Sequence, residues 1–346
     1  MIQLIEYKDV KKEYLLVDVR SEGEYEECTI SGAYNLPILN NEERKYIGTL
    51  YKHDIEKAKI EAVKIGAKKL PSIVESFFEL QKKYEKIVIF CARGGMRSGV
   101  LGDMLSSLGI KVLKLHGGYK YYRKFISQNL PLANEDIKYV MLHGNTGVGK
   151  TRILNELKSM SYDILDLEQC ANHRGSLLGD VGLSKIQSQK QFESNLYESL
   201  INRKSNIVFV EAESKRIGNV IIPTYIYDNM IRGEHIFIDA DLEFRTKIIL
   251  EEYLKEDTHR QDILDCLNKL EKYISEKNVH RYREMIINDQ YDKVVEELMV
   301  KYYDPMYTHT SNQYDYELKL HINDIHDAAE SIEKWYRGYF PKKCEG

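Results

Sequence analysis

The octapeptide Gly144-Asn145-Thr146-Gly147-Val148-Gly149-Lys150-Thr151 follows directly on the apolar run Tyr139–His143 and precedes a stretch with helical spacing. In that context the pattern G-x-x-x-x-G-K-[ST] commits the surrounding chain to a parallel α/β sheet, because such a loop works only where a buried strand hands over to a helix N-terminus. The glycines free the backbone to wrap a phosphate with N–H groups, Lys150 adds a point charge, and Thr151 is a candidate Mg²⁺ ligand. All eight residues are candidate phosphate contacts. No N-K-x-D guanine signature is present and nothing local identifies adenine, so a nucleotide and another diphosphate ester both stay open.

The flanking pattern agrees. After the loop we expect a helix over Thr151–Met160, strands at Ile164–Leu167, Asn206–Glu211 and Ile236–Asp239, and a helix around Ser184–Asn202. From Leu242 to Tyr303 the spacing is helical and highly charged, an appended helical section, and Ala328–Tyr336 reads as a further helix. Upstream, Tyr14–Val19, Lys86–Cys91 and Lys111–Leu115 are short apolar, β-branched runs separated by helical stretches such as Asp54–Lys69 and Ser72–Tyr84, again the signature of parallel strands. At 346 residues the chain exceeds one ordinary core. The polar, proline-led segment Pro131–Lys138 sets the boundary, giving domains 1–130 and 131–346.

Composition excludes more than it identifies. With 43% hydrophobic and 30% charged residues the chain has the balance of a soluble globular protein. It has no ~20-residue apolar run for a membrane span and no apolar leader with a small-residue cleavage site, so a cytoplasmic protein is expected. Five widely spaced cysteines without a CxxC pair argue against a disulfide framework or a cysteine-rich zinc site. The net charge of −4 divides unevenly: residues 1–130 hold 22 Lys+Arg against 17 Asp+Glu, a net +5, leaving −9 for the remainder. A polyanion fits against the first half, although a solvated lysine-rich surface explains the same numbers.

Cys91 closes an apolar strand and is followed by Ala92-Arg93-Gly94-Gly95-Met96-Arg97-Ser98, which opens a helical stretch Gly99–Leu108. A strand-loop-helix of this kind turns backbone N–H groups around the sulfur, and the helix N-terminus adds positive partial charge. Both favour a thiolate. Arg93 and Arg97 add formal charge for an incoming oxyanion, and Gly94 and Gly95 allow close backbone approach. A bare cysteine at a strand end is usually a small buried hydrophobe; two arginines and two glycines in the next six residues point instead to a reactive one. Cys28, Cys170, Cys266 and Cys344 lack such surroundings.

In the second half, Val208–Glu211 is a candidate metal-side strand with Glu211 or Glu213 near the ion. Two polar, glycine-bearing segments, His173-Arg174-Gly175-Ser176-Leu177-Leu178-Gly179 and Glu213-Ser214-Lys215-Arg216-Ile217-Gly218, follow strand ends on the phosphate-loop side, where ligands sit in parallel sheets. His173, Arg174, Ser176, Glu213 and Arg216 are therefore candidate substrate contacts, the bland alternative being two surface turns. The aromatic-basic segments Tyr119–Lys124 and His280–Arg283 are candidate RNA contacts, or else amphipathic helix edges.

Asp18-Val19-Arg20 with Glu24-Tyr25, then Ile30–Pro37, then the Cys91 loop, resembles the rhodanese pattern in order and spacing, with Cys28-Thr29 standing where a glycine-histidine pair is common. The resemblance implies that Asp18 and Arg20 support the loop. A rhodanese-like domain followed by a phosphate-loop domain, together with Asn41–Arg44, Gly48–Lys52, the HRGSLLG and ESKRIG segments and Tyr303–Tyr307, is similar to the tRNA 2-selenouridine synthases. That resemblance implies replacement of sulfur by selenium in wobble 2-thiouridine of tRNA. Geranyl diphosphate first alkylates the sulfur and selenophosphate then supplies selenium, with no tightly bound organic cofactor. The alternatives are an ATP-dependent sulfurtransferase with a persulfide on Cys91, and a regulatory module with a degenerate rhodanese domain.

Overall fold

The computed structural model describes residues 2–173, 187–254, 261, 263–265, 267, 274–305 and 314–344. The chain divides into two compact units, Met1–Leu132 with Lys190–Glu198, and Ala133–Gln189 with Ser199–Gly346.

In the first unit β1 (Leu4–Ile5), β2 (Leu15–Asp18), β3 (Tyr34–Asn35), β4 (Ile87–Phe90) and β5 (Val112–Leu115) pair in parallel in the order β1-β5-β4-β2-β3. β4 lies between β5 and β2 and buries all four of its residues, as an apolar run covered on both faces must. Its Ile87 and Ile89 pack with Ile73, Phe77, Leu101 and Leu105 in one core. The helices are α1 (Glu22–Glu27), α2 (Asn41–His53), α3 (Ile55–Gln81), α4 (Met96–Ser107) and α5 (Gly118–Asn134). α2 opens on a reciprocal cap, in which Asn40 accepts from the Glu43 N–H and Glu43 accepts from the Asn40 N–H.

The sequence suggests separate helical stretches on either side of residue 71 and a boundary segment from Pro131, and a helix runs through each proline. α3 runs unbroken through Pro71, and α5 runs through Pro131. A proline inside a helix removes one hydrogen bond. Around Pro71 the loss is offset by Ile73 and Phe77, buried in the core with Leu70 and Val74 against them. Around Pro131 it is offset by the buried Leu130 and Ala133.

The second unit is a parallel sheet of β6 (Lys138–His143), β7 (Ile164–Leu165), β8 (Ile207–Glu211), β11 (Glu234–Ala240) and β12 (Leu318–Ile322), in the order β12-β11-β6-β8-β7. A small hairpin of β9 (Arg216–Ile217) and β10 (Val220–Ile221) stands apart. Helices α6 (Lys150–Ser159), α7 (Leu167–Ala171), α9 (Thr224–Ile231), α10 (Leu242–Tyr253), α11 (Glu276–Ile287), α12 (Tyr291–Leu298) and α13 (Ile325–Cys344) complete it. The helix α8 (Gln189–Ile201) contributes residues 190–198 to the first unit, where Thr29 N–H donates to Gln191 Oε1 (2.8 Å) and Arg123 donates to the Lys190 carbonyl (2.8 Å). β12 was not expected from sequence. Its Leu318, Leu320 and Ile322 turn inward and alternate with exposed Lys319 and His321, the period of an edge strand.

The charged helical section carries its own core of Val279, Tyr282, Ile286, Val294, Leu298 and Tyr303. Among the described residues no helix is long and apolar enough to cross a membrane.

Candidate functional site

Two sites lie at strand ends, one in each unit. In the first, the strand β4 delivers Cys91 to a loop that Gly118 closes from beneath. Gly118 has φ +59°, and a side chain there would come within 2.2 Å of the Cys91 carbonyl oxygen, so only glycine lets α5 start so close to the loop. Tyr119 N–H then donates to that carbonyl (2.9 Å). Cys91 is itself buried, whereas Arg93, Gly95 and Met96 of the same loop are exposed. Burial raises the thiol pKa, but a hydrogen bond from Ser98 Oγ (3.2 Å), the backbone N–H groups of Ser98 and Arg93, and the charge of Arg97 outweigh it and hold the thiol below its ordinary value. Cys170 shows the contrast, since burial pushes it up to about 12.

Asp18 and Arg20 sit beneath the loop, buried. Arg20 grips Asp18 through Nε (2.9 Å) and a terminal nitrogen (2.6 Å), donates to the Cys28 carbonyl (2.6 Å) and lies 4.1 Å from the centre of the Tyr119 ring. Arg97 is not a bare cation: it donates to Glu24 (2.7 and 3.3 Å), which also meets Arg44 Nε at 3.2 Å. Burial pushes the Glu24 carboxyl up, but the Arg97 hydrogen bond and charge, then the charge of Arg44, hold it below the usual carboxylate range. Arg93 has no ion pair among the described residues.

In the second unit the phosphate loop hangs from β6, the middle strand. A side chain at Gly144 would stand 2.3 Å from the Ile238 carbonyl oxygen, so the loop presses against the neighbouring strand β11. Gly149, left-handed at φ 81°, caps α6, whose first residues are Lys150 and Thr151. Lys150 Nζ donates to the Gly144 carbonyl (2.9 Å). A brace invisible in the sequence holds the loop. Buried Arg245 donates to the Thr146 carbonyl (2.9 Å) and makes two bonds to Asp304 (3.0 and 2.6 Å). Asp304 belongs to the Tyr303–Tyr307 segment, whose residues from Met306 on lie outside the described residues.

Because β6, β7 and β8 are parallel, the segments leaving their C-terminal ends gather on one edge. Glu168 (α7), Glu211 (end of β8) and Glu213 bring one carboxylate oxygen each within 4.8 Å of one another, and Thr151 Oγ1 donates to Glu168 (3.4 Å). Burial, then the charges of Glu211 and Glu213, push Glu168 up to about 10. Burial, then Glu213 and Asp166, push Glu211 up to about 8. Glu211 Oε1 is buried with no hydrogen-bond partner. Three hard oxygen donors under mutual repulsion, one of them unpartnered, fit a divalent cation such as Mg²⁺, which Thr151, Glu168, Glu211 and Glu213 would hold.

These groups line one end of a cleft. Thr146, Gly147, Gly149, Lys150 and Thr151 form its polar wall with the three glutamates; Ile248, Ile249, Ile286, Val294, Leu298 and Met299 form the apolar wall.

The remaining expectations scatter. His173 is buried against Gly218, so the two polar segments do meet, but neither His173 nor Arg216 lines the cleft; Arg216 is exposed and donates to the Gly218 carbonyl (3.1 Å). Arg174 and Ser176 lie outside the described residues. The aromatic-basic segments are partly covered, with Lys120, Tyr121 and Lys124 exposed. Tyr119, Tyr122 and Tyr282 are buried, Arg123 pairs with Glu193 and Arg281 with Glu297.

Comparison with known proteins finds a family model over each half of the chain. Residues 137–338 match the family model described as tRNA 2-selenouridine synthase AAA domain, and residues 3–125 match the rhodanese-like domain. The tRNA 2-selenouridine synthase of Nitrosomonas europaea is 31% identical over 342 residues, covering 94% of this chain and 86% of the relative. That of Hydrogenovibrio crunogenus is 31% identical over 361 residues, covering 93% and 96%. That of a Sulfurovum species is 28% identical over 360 residues, covering 94% of each.

Proposed function

Since the chain belongs to the tRNA 2-selenouridine synthase family, we propose that it exchanges sulfur for selenium in wobble 2-thiouridine of tRNA, in the cytoplasm, through an S-geranyl intermediate. The observation that carries this reading is the cleft of the second unit, where the phosphate loop runs directly into an aliphatic wall. A nucleotide has a sugar and a base beyond its phosphates and needs polar partners there; a prenyl diphosphate has only hydrocarbon.

In the first half-reaction the thiouridine sulfur attacks the carbon bearing the diphosphate. The C–S bond forms as the C–O bond breaks, and the diphosphate leaves into the N–H groups of Gly144–Thr151 and the charge of Lys150. Thr151, Glu168, Glu211 and Glu213 would hold a divalent cation, which would further neutralise the leaving diphosphate. The aliphatic wall holds the tail and keeps water from the reacting carbon. In the second half-reaction the C–S bond at the base is exchanged for C–Se, with selenophosphate as the selenium source and geranylthiolate leaving. The Cys91 thiolate, kept below the ordinary thiol range, is the nucleophile for this stage: it bonds to C2 of the base as geranylthiolate leaves, the selenium of selenophosphate then displaces it to form C–Se, and water breaks the P–Se bond to release phosphate, while Arg93, exposed beside it, meets the incoming anion.

Incubation with thiolated tRNA, geranyl diphosphate and selenophosphate, followed by mass spectrometry of the nucleosides, tests the proposal. Lys150→Ala is expected to block geranylation, and Cys91→Ala to leave S-geranylated tRNA accumulating. Negligible ATP hydrolysis is expected with or without tRNA; tRNA-stimulated hydrolysis would instead support the ATP-dependent sulfurtransferase.

A further inference from the structure

Between β3 and β4 the first unit carries the helices α2 and α3. α2 spans 13 residues and buries none of them. A helix normally repays its ordering by burying one face. This one leaves Tyr46 and Tyr51 about half exposed, and Ile55, Ile60 and Val63 at the start of α3 are exposed beside them. Residues 44–69 hold eight Lys+Arg against three Asp+Glu, so the whole +5 of residues 1–130 is concentrated here. Arg44, Lys64 and Lys69 are paired, with Glu24, Glu61 and Glu43. Lys45, Lys52, Lys57 and Lys59 are exposed and make no ion pair among the described residues.

The pattern on α2 is ordered. At 100° per residue, Arg44, Gly48 and Tyr51 follow one line along the helix, and Lys45, Thr49 and Lys52 follow the adjacent line. Gly48 stands on the first line with nothing within 4 Å of where a side chain would be. A helical glycine weakens its helix relative to alanine, so one with open space beside it has no purpose inside the folded chain. It has one if something outside must come close. The line also starts at the sulfur site, since Arg44 and Arg97 of the Cys91 loop bind the same Glu24 oxygen.

We infer that α2 and the start of α3 are the RNA-docking surface of the first unit. Lys45, Lys52 and Lys57 meet phosphates, the sugar-phosphate chain approaches closely over Gly48, and Tyr51 stacks on an unpaired base. Charge complementarity favours a polyanion over a second copy of this chain, which would bring one net +5 face against another. The inference rests on the tRNA-directed reading above and assigns it a surface.

The test is fluorescence anisotropy with labelled unfractionated tRNA and the full chain across a salt series. Replacing Lys45, Lys52 and Lys57 by alanine together should flatten the slope of log affinity against log salt by about 2, at ~0.7–0.9 per phosphate contact. Tyr51→Ala should weaken binding about ten-fold, as loss of one base stack does. Gly48→Ala should raise the melting temperature while weakening binding, which a purely structural glycine would not do. Alkylation of Cys91 by iodoacetamide should be unchanged in all three. Unaltered tRNA affinity in the variants, with a wild-type protein that binds, overturns the surface and leaves the selenouridine reading standing. A wild-type protein that does not bind tRNA overturns both. A concentration-dependent dimer by light scattering that the variants abolish overturns it in favour of a contact between copies.

Discussion

Ser98→Ala isolates what makes Cys91 reactive. The hydroxyl donates to Sγ at 3.2 Å and both groups are buried, so its removal leaves burial, which disfavours the thiolate, opposed only by two backbone N–H groups and the charge of Arg97. A hydrogen bond to a charged group contributes about 1.5–3 kcal/mol, and one pKa unit corresponds to ~1.4 kcal/mol. The thiol pKa should therefore rise by about 1–2 units. Alanine is a better helix former than serine and leaves a void of one oxygen, so the fold should persist. The assay is the rate of iodoacetamide alkylation from pH 5 to 10. The wild-type midpoint should lie below the ~8.5 of a free cysteine, and the variant's should be displaced upward, with reactivity at pH 7 falling roughly ten-fold or more. A midpoint that stays put, or a wild-type Cys91 as inert as Cys170, would refute the reasoning.

Other expectations follow from the second unit. Asp304→Ala strands the buried Arg245 guanidinium behind Thr146. Breaking a buried pair costs about 3–5 kcal/mol, roughly 6–20 °C in a unit of this size, and calorimetry with and without diphosphate should show both stability and ligand protection falling. The raised carboxyls Glu168 (about 10) and Glu211 (about 8) keep protons in the folded state that the unfolded chain releases above its ordinary carboxyl range. Stability without a cation should therefore decline as pH rises from about 5 to 9. Mg²⁺ should reverse the decline at the alkaline end and release protons on binding, as titration calorimetry in buffers of different ionisation enthalpy would reveal; Glu211→Gln should weaken the reversal, and pH-independent affinity would contradict this. Val294→Trp, which fills the aliphatic wall, should raise the KM for geranyl diphosphate by about ten-fold or more while leaving inorganic diphosphate binding intact.

Both candidate loops were legible in the sequence because each is contiguous: eight residues from Gly144 to Thr151, and eight from Cys91 to Ser98. What escaped depends on separation. Glu168 joins Glu211 only because β7 and β8 are adjacent in the sheet, and nothing in a two-residue strand announces that a carboxylate will be carried to the phosphate loop. The Arg245–Asp304 brace links residues 59 apart, and the aliphatic wall draws on α10, α11 and α12. Within the aromatic-basic segments local composition does not tell which side of a helix is covered: Tyr122 and Tyr282 face cores, while Tyr121 faces out, as does Tyr51 of α2. The two helical stretches read on either side of residue 71 form one helix because tertiary packing overrode a local rule.

The position of β4 and β6 inside their sheets has a consequence for dynamics. Each is flanked by a strand on either side, so the amides just before Cys91 and Gly144 should exchange with deuterium only when the whole unit opens. α2, with no buried residue, should exchange at the other extreme. Heat or mild denaturant would then fray the outer helix long before disturbing either loop, and the chemical centres would outlast their surroundings until cooperative melting.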